Sequence, residues 1–148
     1  MISEAGPVEA VRWLSRAAGA VTAAQTAALA PVGLSPSAFT ALLTLGDAPG
    51  QTLEPCELAV ALGVSRPSMT GLLDTLESRR LVRRAPHATD RRRLQIVLTD
   101  PGRSLLEQHA PAYRDRQRAL LADLSPAELA HLTALLHRLA DSTHGSPP

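Results

Sequence analysis

From Pro7 to about Leu29, apolar side chains return at steps of three and four: Val8, Val11, Leu14, Ala17, Ala18, Val21, Ala24 and Ala28. This is the spacing of one helical face, so the chain opens on an amphipathic helix. Pro31 and Gly33 end it. Ser35-Pro36 then supplies an N-cap followed by proline at the first helical position, where a missing amide hydrogen costs nothing. A second helix follows to about Gly46. Asp47-Ala48-Pro49-Gly50 is a turn by composition, after which Thr52 can cap a short helix that Gly63 terminates. Ser65 caps the next helix, whose buried stripe is Met69, Leu72, Leu73 and Leu76. Helix, three-residue turn containing glycine, helix is the spacing of a helix-turn-helix unit, whose second helix can enter a DNA major groove.

After Arg80 the period changes from helical to alternating. Leu81 and Val82 begin a short extended run ending at Pro86, and Leu94, Ile96 and Leu98 alternate with Gln95, Val97 and Thr99. These predict two strands of a hairpin, with the loop from His87 to Arg93 as the wing of a winged helix-turn-helix. Thr99 or Asp100 caps a long helix through Leu105, Leu106 and His109 toward Leu121, which Pro111 should bend or interrupt. The last helix starts at Ser125-Pro126-Ala127-Glu128, a capping box with proline at N1, and Leu124 can staple against Leu129. Its apolar stripe is Leu129, Leu132, Leu135, Leu136 and Leu139, and Thr143 to Pro148 reads as a disordered tail. The fold class is mainly α with a small β-hairpin wing, in one domain spanning the 148 residues, with a winged core at about 36–100 and flanking helices at about 7–30 and 101–142.

Charge changes this picture by its position, because the formal net charge is only +1. Between Arg66 and Arg93 eight arginines face three acids, a local charge of +5, so the rest of the chain carries −4. A basic segment on a helix-turn-helix and its wing suits a polyanion. All fifteen basic residues are arginine, which reads as genomic base composition. Ala17 to Gly46 carries no formal charge, yet Thr22, Gln25, Pro31 and Ser35 interrupt it too often for a membrane span. An acidic N-terminus unlike a signal peptide and one cysteine, Cys56, point to the cytoplasm.

The candidate chemistry lies in the same segment. Ser65, Arg66, Ser68 and Thr70 open the proposed recognition helix, placing hydroxyl and guanidinium donors where a groove-inserted helix presents its N-terminal residues. In the wing, Arg92 suits the narrow minor groove, and Asp90 beside it can hold the guanidinium in one orientation. Arg84, Arg91 and Arg93 join them as candidate DNA contacts. The five histidines have no Cys partner at zinc-ligand spacing, and no phosphate-binding glycine loop, nucleophile elbow or HExxH is present. An enzyme, a metal centre and a cofactor are therefore not expected. Cys56 stands at a helix start, where a thiolate is favoured, but Glu54 and Glu57 flank it and work against a redox role.

The run ELAVALGVSRPSMTGLLDTLESRRLVRRAPHATDRRRLQIVLTDPG, Glu57 to Gly102, resembles the winged-helix core of MarR-family transcriptional regulators. The motifs that carry the likeness are ELA, VS-x-x-x-x-T, LLDTLE, LV-x-R, DRR and LT-x-x-G, in that order. The resemblance implies a homodimer whose N- and C-terminal helices interlock and whose two lobes read the halves of a palindromic site on double-stranded DNA. It places Ser65, Arg66, Ser68 and Thr70 on groove-facing positions, Arg92 on the wing arginine and Asp90 on the acid that orients it. It also implies repression released by a small aromatic or phenolic effector, for which Trp13 and Phe39 are candidate pocket residues. One position departs: Arg80 stands where the family usually has glycine at a helix end of positive φ, so either the residue is mildly strained or the turn differs. The alternative reading is a winged-helix protein-interaction module without DNA binding, which would not need the +5 segment.

Overall fold

A computed structural model describes residues 5–144 apart from 88 and 91. The elements are α1 (Ala5–Leu29), α2 (Pro36–Asp47), β1 (Thr52–Leu53), α3 (Pro55–Leu62), α4 (Arg66–Ser78), β2 (Val82–Pro86), β3 (Leu94–Leu98), α5 (Asp100–Leu120) and α6 (Pro126–His144). The fold is mainly helical with a small antiparallel sheet and a winged helix-turn-helix, as the periodicities predict. α6 reaches His144, and the remainder of the expected tail lies outside the described residues.

Local capping chemistry sets most helix starts. Ser35 Oγ accepts the Ala38 N–H at 3.2 Å, Ser65 Oγ accepts the Ser68 N–H at 3.3 Å, and Ser125 Oγ accepts the Glu128 N–H at 3.3 Å. The Glu128 carboxylate takes the Ser125 N–H in return at 2.8 Å, which closes the capping box. α3 departs from expectation. Its N-cap is Glu54, whose N–H donates to the Glu57 carboxylate at 2.7 Å, and Thr52 lies in a third strand instead of capping. Thr52 and Leu53 pair with Val97 and Ile96, so a ladder to a distant segment overrides the local capping signal.

Both helices of the helix-turn-helix end in the same motif. Gly63, at φ 63°, ends α3, and the Val64 N–H reaches back to the Ala59 carbonyl at 3.0 Å. Arg80, at φ 59°, ends α4, and the Leu81 N–H reaches back to the Leu76 carbonyl at 3.0 Å. The left-handed turn is therefore kept without its glycine, at a cost of about 1 kcal/mol.

The sheet order is β1-β3-β2, with Val82 opposite Leu98 and Pro86 opposite Leu94. The start of α5 is seated on the entry to β2 by the LT-x-x-G motif. The Thr99 hydroxyl lies 2.6 Å from the Arg80 carbonyl and 2.9 Å from that of Leu81, and accepts the Gly102 N–H at 3.2 Å. A Cβ on Gly102 would run into the Leu81 carbonyl oxygen, so no other residue fits without moving the backbone. Pro111 does not interrupt α5, which continues to Leu120. The proline is exposed while its neighbours Ala110 and Tyr113 are buried, so packing holds the helix across the one lost hydrogen bond.

The chain divides after Tyr113 into two compact units. In the first, the core is built from α2, α3, α4, the sheet and the early part of α5, with Phe39, Leu42, Leu45, Leu58, Leu76 and Ile96 all fully buried. α1 adds Leu29 at its end but leaves Val8, Val11 and Trp13 exposed. In the second unit, Leu129, Leu132, Leu135, Leu136 and Leu139 of α6 are between 37% and 45% exposed. No described helix is long and apolar enough to cross a membrane.

Candidate nucleic-acid interface

The recognition helix begins with three hydroxyls in different states. Ser65 donates to Ser68 Oγ at 2.9 Å, and Thr70 donates back to the Arg66 carbonyl at 3.1 Å. Each hydroxyl has one proton, so Ser65 and Thr70 have used theirs locally, while Ser68 keeps its own for an outside acceptor. Arg66 is exposed, and its guanidinium pairs with no carboxylate among the described residues.

In the wing, the Asp90 carboxylate accepts the Arg92 backbone N–H at 3.0 Å, and the Asp90 carbonyl accepts the Arg93 N–H at 3.0 Å. Asp90 thus orders the turn from which Arg92 projects; the guanidinium contact expected of it is replaced by one to the amide. The reason is the short aspartate side chain, which reaches the backbone two residues on more readily than the end of a long arginine. Arg92 is exposed with no carboxylate partner among the described residues. Arg91 lies outside the described residues.

Other arginines of the segment are tied into the lobe. Arg84, on β2, donates to Asp74 at 2.6 Å and to Glu77, and its backbone N–H also reaches Glu77 at 3.1 Å. The Asp74 hydrogen bond, then Glu77, hold this guanidinium even more firmly in its charged form, against the opposing effect of burial. Arg93 pairs with Glu54 at the start of α3, and this hydrogen bond holds the Glu54 carboxyl below its ordinary range. Arg79 donates to the carbonyls of Gly33 and Val32 at 2.7 and 2.9 Å. A guanidinium held this way braces the recognition helix and wing from behind.

The start of α3, the recognition helix and the wing enclose a cleft of about 460 Å³, on which Glu54, Cys56, Arg66, Thr70, Arg92 and Arg93 converge. Cys56 is exposed there, with its thiol 3.7 Å from the Glu54 carboxylate. The two candidate pocket residues are not brought together. Phe39 is fully buried against Tyr113, ring centroids 4.8 Å apart, whereas Trp13 is exposed on α1 with the Arg16 guanidinium 5.3 Å from its ring centre. Their separation follows from position: Phe39 is on the core face of α2, and Trp13 is on a helix whose apolar residues face outward.

Sequence reasoning passed over Arg80 and Arg83, both exposed and without carboxylate partners among the described residues. The signal for Arg83 was available, since Val82 and Ala85 are the buried positions of β2 and Arg83 falls outside them. It also passed over Arg79, whose partners lie 46 and 47 residues away.

Comparison with known proteins decides the family. A sequence model described as MarR family matches residues 32–93. The HTH-type transcriptional regulator PecS of Dickeya dadantii (strain 3937) is 32% identical over 135 residues, covering 90% of this chain and 81% of PecS. The chain belongs to the MarR family. Within it, the HTH-type transcriptional repressor YetL of Bacillus subtilis (strain 168) is 38% identical over 96 residues, 65% of this chain. This MarR-family chain spans 58% of the length of YetL. A mutant MarR from E. coli, solved in complex with operator DNA, superposes with a TM-score of 0.76 at 26% identity, covering 94% of this chain and 97% of that one.

Proposed function

We propose that the protein binds double-stranded DNA as a homodimer, with α4 in the major groove and the wing along the adjacent minor groove. The observation that carries this reading is the distribution of arginines around one cleft. Arg66 and Arg92 enter it from the helix and the wing with unpaired guanidinium groups, while Arg84 and Arg93 stiffen the elements that present them. A groove-binding helix needs donors at its start, and a minor-groove probe needs a free guanidinium on a rigid turn. Ser65, Ser68, Thr70 and Asp90 shape that surface, and a position next to Arg92 gives Arg91 a phosphate contact. Arg84 and Arg93 act mainly through the helix and wing they hold. The operator complex of the E. coli relative supports the same mode of use.

On this reading the chain is one MarR-like domain, with a winged core at about 36–100 and dimerisation helices at about 7–30 and 101–142. The leucines of α6 and the apolar residues of α1 supply the surface on which two copies meet. Acting in the cytoplasm, the dimer represses transcription from a palindromic operator, as the name of YetL suggests, and a small aromatic or phenolic effector binding near Trp13 or Phe39 releases it. The test is fluorescence anisotropy on duplex DNA from upstream of the protein's own gene, beside an unrelated duplex, across a salt series. Selective binding with a steep salt slope is expected. Weak, equal binding on both duplexes, together with no enrichment from a random duplex pool, points instead to a winged helix used for protein contacts.

A further inference from the structure

Arg79 is the C-cap residue of the recognition helix, and its side chain leaves that helix altogether. Nη1 donates to the Gly33 carbonyl at 2.7 Å and Nη2 to the Val32 carbonyl at 2.9 Å. Both carbonyls belong to the turn that closes α1, where Gly33, at φ 65°, returns its N–H to the Leu29 carbonyl at 3.0 Å. A helix end presents carbonyls without helical donors and a partial negative charge, which a planar two-pronged cation matches in both geometry and sign. The turn is itself anchored, since Leu29 and Val32 are 1% and 8% exposed.

We infer that Arg79 is a positioning residue that ties the end of the recognition helix to the end of α1, so that the groove-reading helix follows the helix that joins two copies. The inference rests on the DNA-binding dimer proposed above. Arg84, through Asp74 and Glu77, locks α4 to β2, so helix and wing move as one piece. Arg79 is a polar tie in the other direction, from that piece to α1. In a dimer that reads two half-sites, the separation of the recognition helices has to match the half-site spacing. Cutting the tie leaves the lobe folded by its apolar core but free to rock against α1, which widens the range of spacings the dimer accepts. Lysine, a single point charge, replaces the fork only in part.

The experiment uses the full chain as wild type, Arg79→Ala and Arg79→Lys. The duplexes are one selected by the wild type from a random pool and the same duplex with one base pair inserted at its centre. Binding is measured by anisotropy across salt, and backbone hydrogen exchange is followed without DNA. Arg79→Ala is expected to lose about tenfold of the preference for the selected spacing, with an unchanged salt slope, and Arg79→Lys to lie between. Exchange should quicken at both 29–33 and 79–81. A salt slope lowered by about 0.9 makes Arg79 a phosphate contact and overturns the inference. So does an equal loss on both duplexes, which marks a merely stabilising residue. If the wild type enriches no duplex, the DNA reading itself fails and exchange decides the tie alone: faster exchange at both segments upholds it, and unchanged exchange overturns it.

Discussion

The winged lobe and the outer helices solve the burial of apolar surface in opposite ways. Leu42, Leu58 and Leu76 of the lobe are fully hidden among neighbours from the same chain, while five leucines of α6 and Val8, Val11 and Trp13 of α1 keep a third or more of their surface in water. A leucine in the lobe therefore contributes to folding of the chain by itself, and a leucine on α6 contributes chiefly when another surface covers it. The arginines divide in the same manner. Arg79, Arg84 and Arg93 are satisfied inside the chain, whereas Arg66, Arg80, Arg83 and Arg92 face outward without a carboxylate. What is left unsatisfied in the folded chain marks where its partners are expected to bind.

The largest effect should come from the open side of this contrast. Leu132→Glu combined with Leu136→Glu places two charges in the α6 stripe and should abolish the dimer in sedimentation; a persisting dimer would falsify α6 as the subunit contact. On the closed side, Leu76→Ala should cost about 2 to 5 kcal/mol in denaturant unfolding. The same change at Leu135, 45% exposed, should barely move the unfolding midpoint of a chain too dilute to dimerise, and equal costs at the two sites would erase the contrast. Gly102→Ala forces a Cβ toward the Leu81 carbonyl and should lower stability by about 1 to 3 kcal/mol, read as a lowered Tm.

Among the arginines, Arg92→Ala should weaken DNA binding by about 1 to 3 kcal/mol while leaving Tm unchanged. Arg84→Met should show the reverse order of effects, lowering Tm before it touches the salt slope. The smallest effect concerns Glu54. Its carboxyl lies below the ordinary range in the folded protein, chiefly through the Arg93 hydrogen bond. Its stabilising contribution is thus complete above the unfolded value and is lost as pH falls through the folded one. Glu54→Gln should flatten the acid limb of the stability profile between those two values, and an unaltered limb would remove this ion pair from the acid response.

Much of the fold could be read along the chain because its signals are local. Ser35, Ser65, Ser125 and Glu128 act on amides three residues away, and the buried residues of α4 recur at helical spacing. The basic recognition helix and wing were legible for the same reason. Where an element depends on a distant segment, the local signal misled: Thr52 reads as a cap and pairs with Val97, and Pro111 reads as a break yet stays within a helix held by its buried neighbours.

Local sequence thus determined which residues form helices, where those helices start, and that positive charge gathers on one helix and one loop. Tertiary structure alone decided which of those charges are free. Arg84, Arg92 and Arg93 are the same side chain in one short stretch, and nothing in their spacing distinguishes them. The difference arises because folding brings Asp74, Glu77 and Glu54 within reach of two of them and leaves the third at the tip of a turn. A charge is written in the sequence one residue at a time, but its partner is chosen by proximity in space.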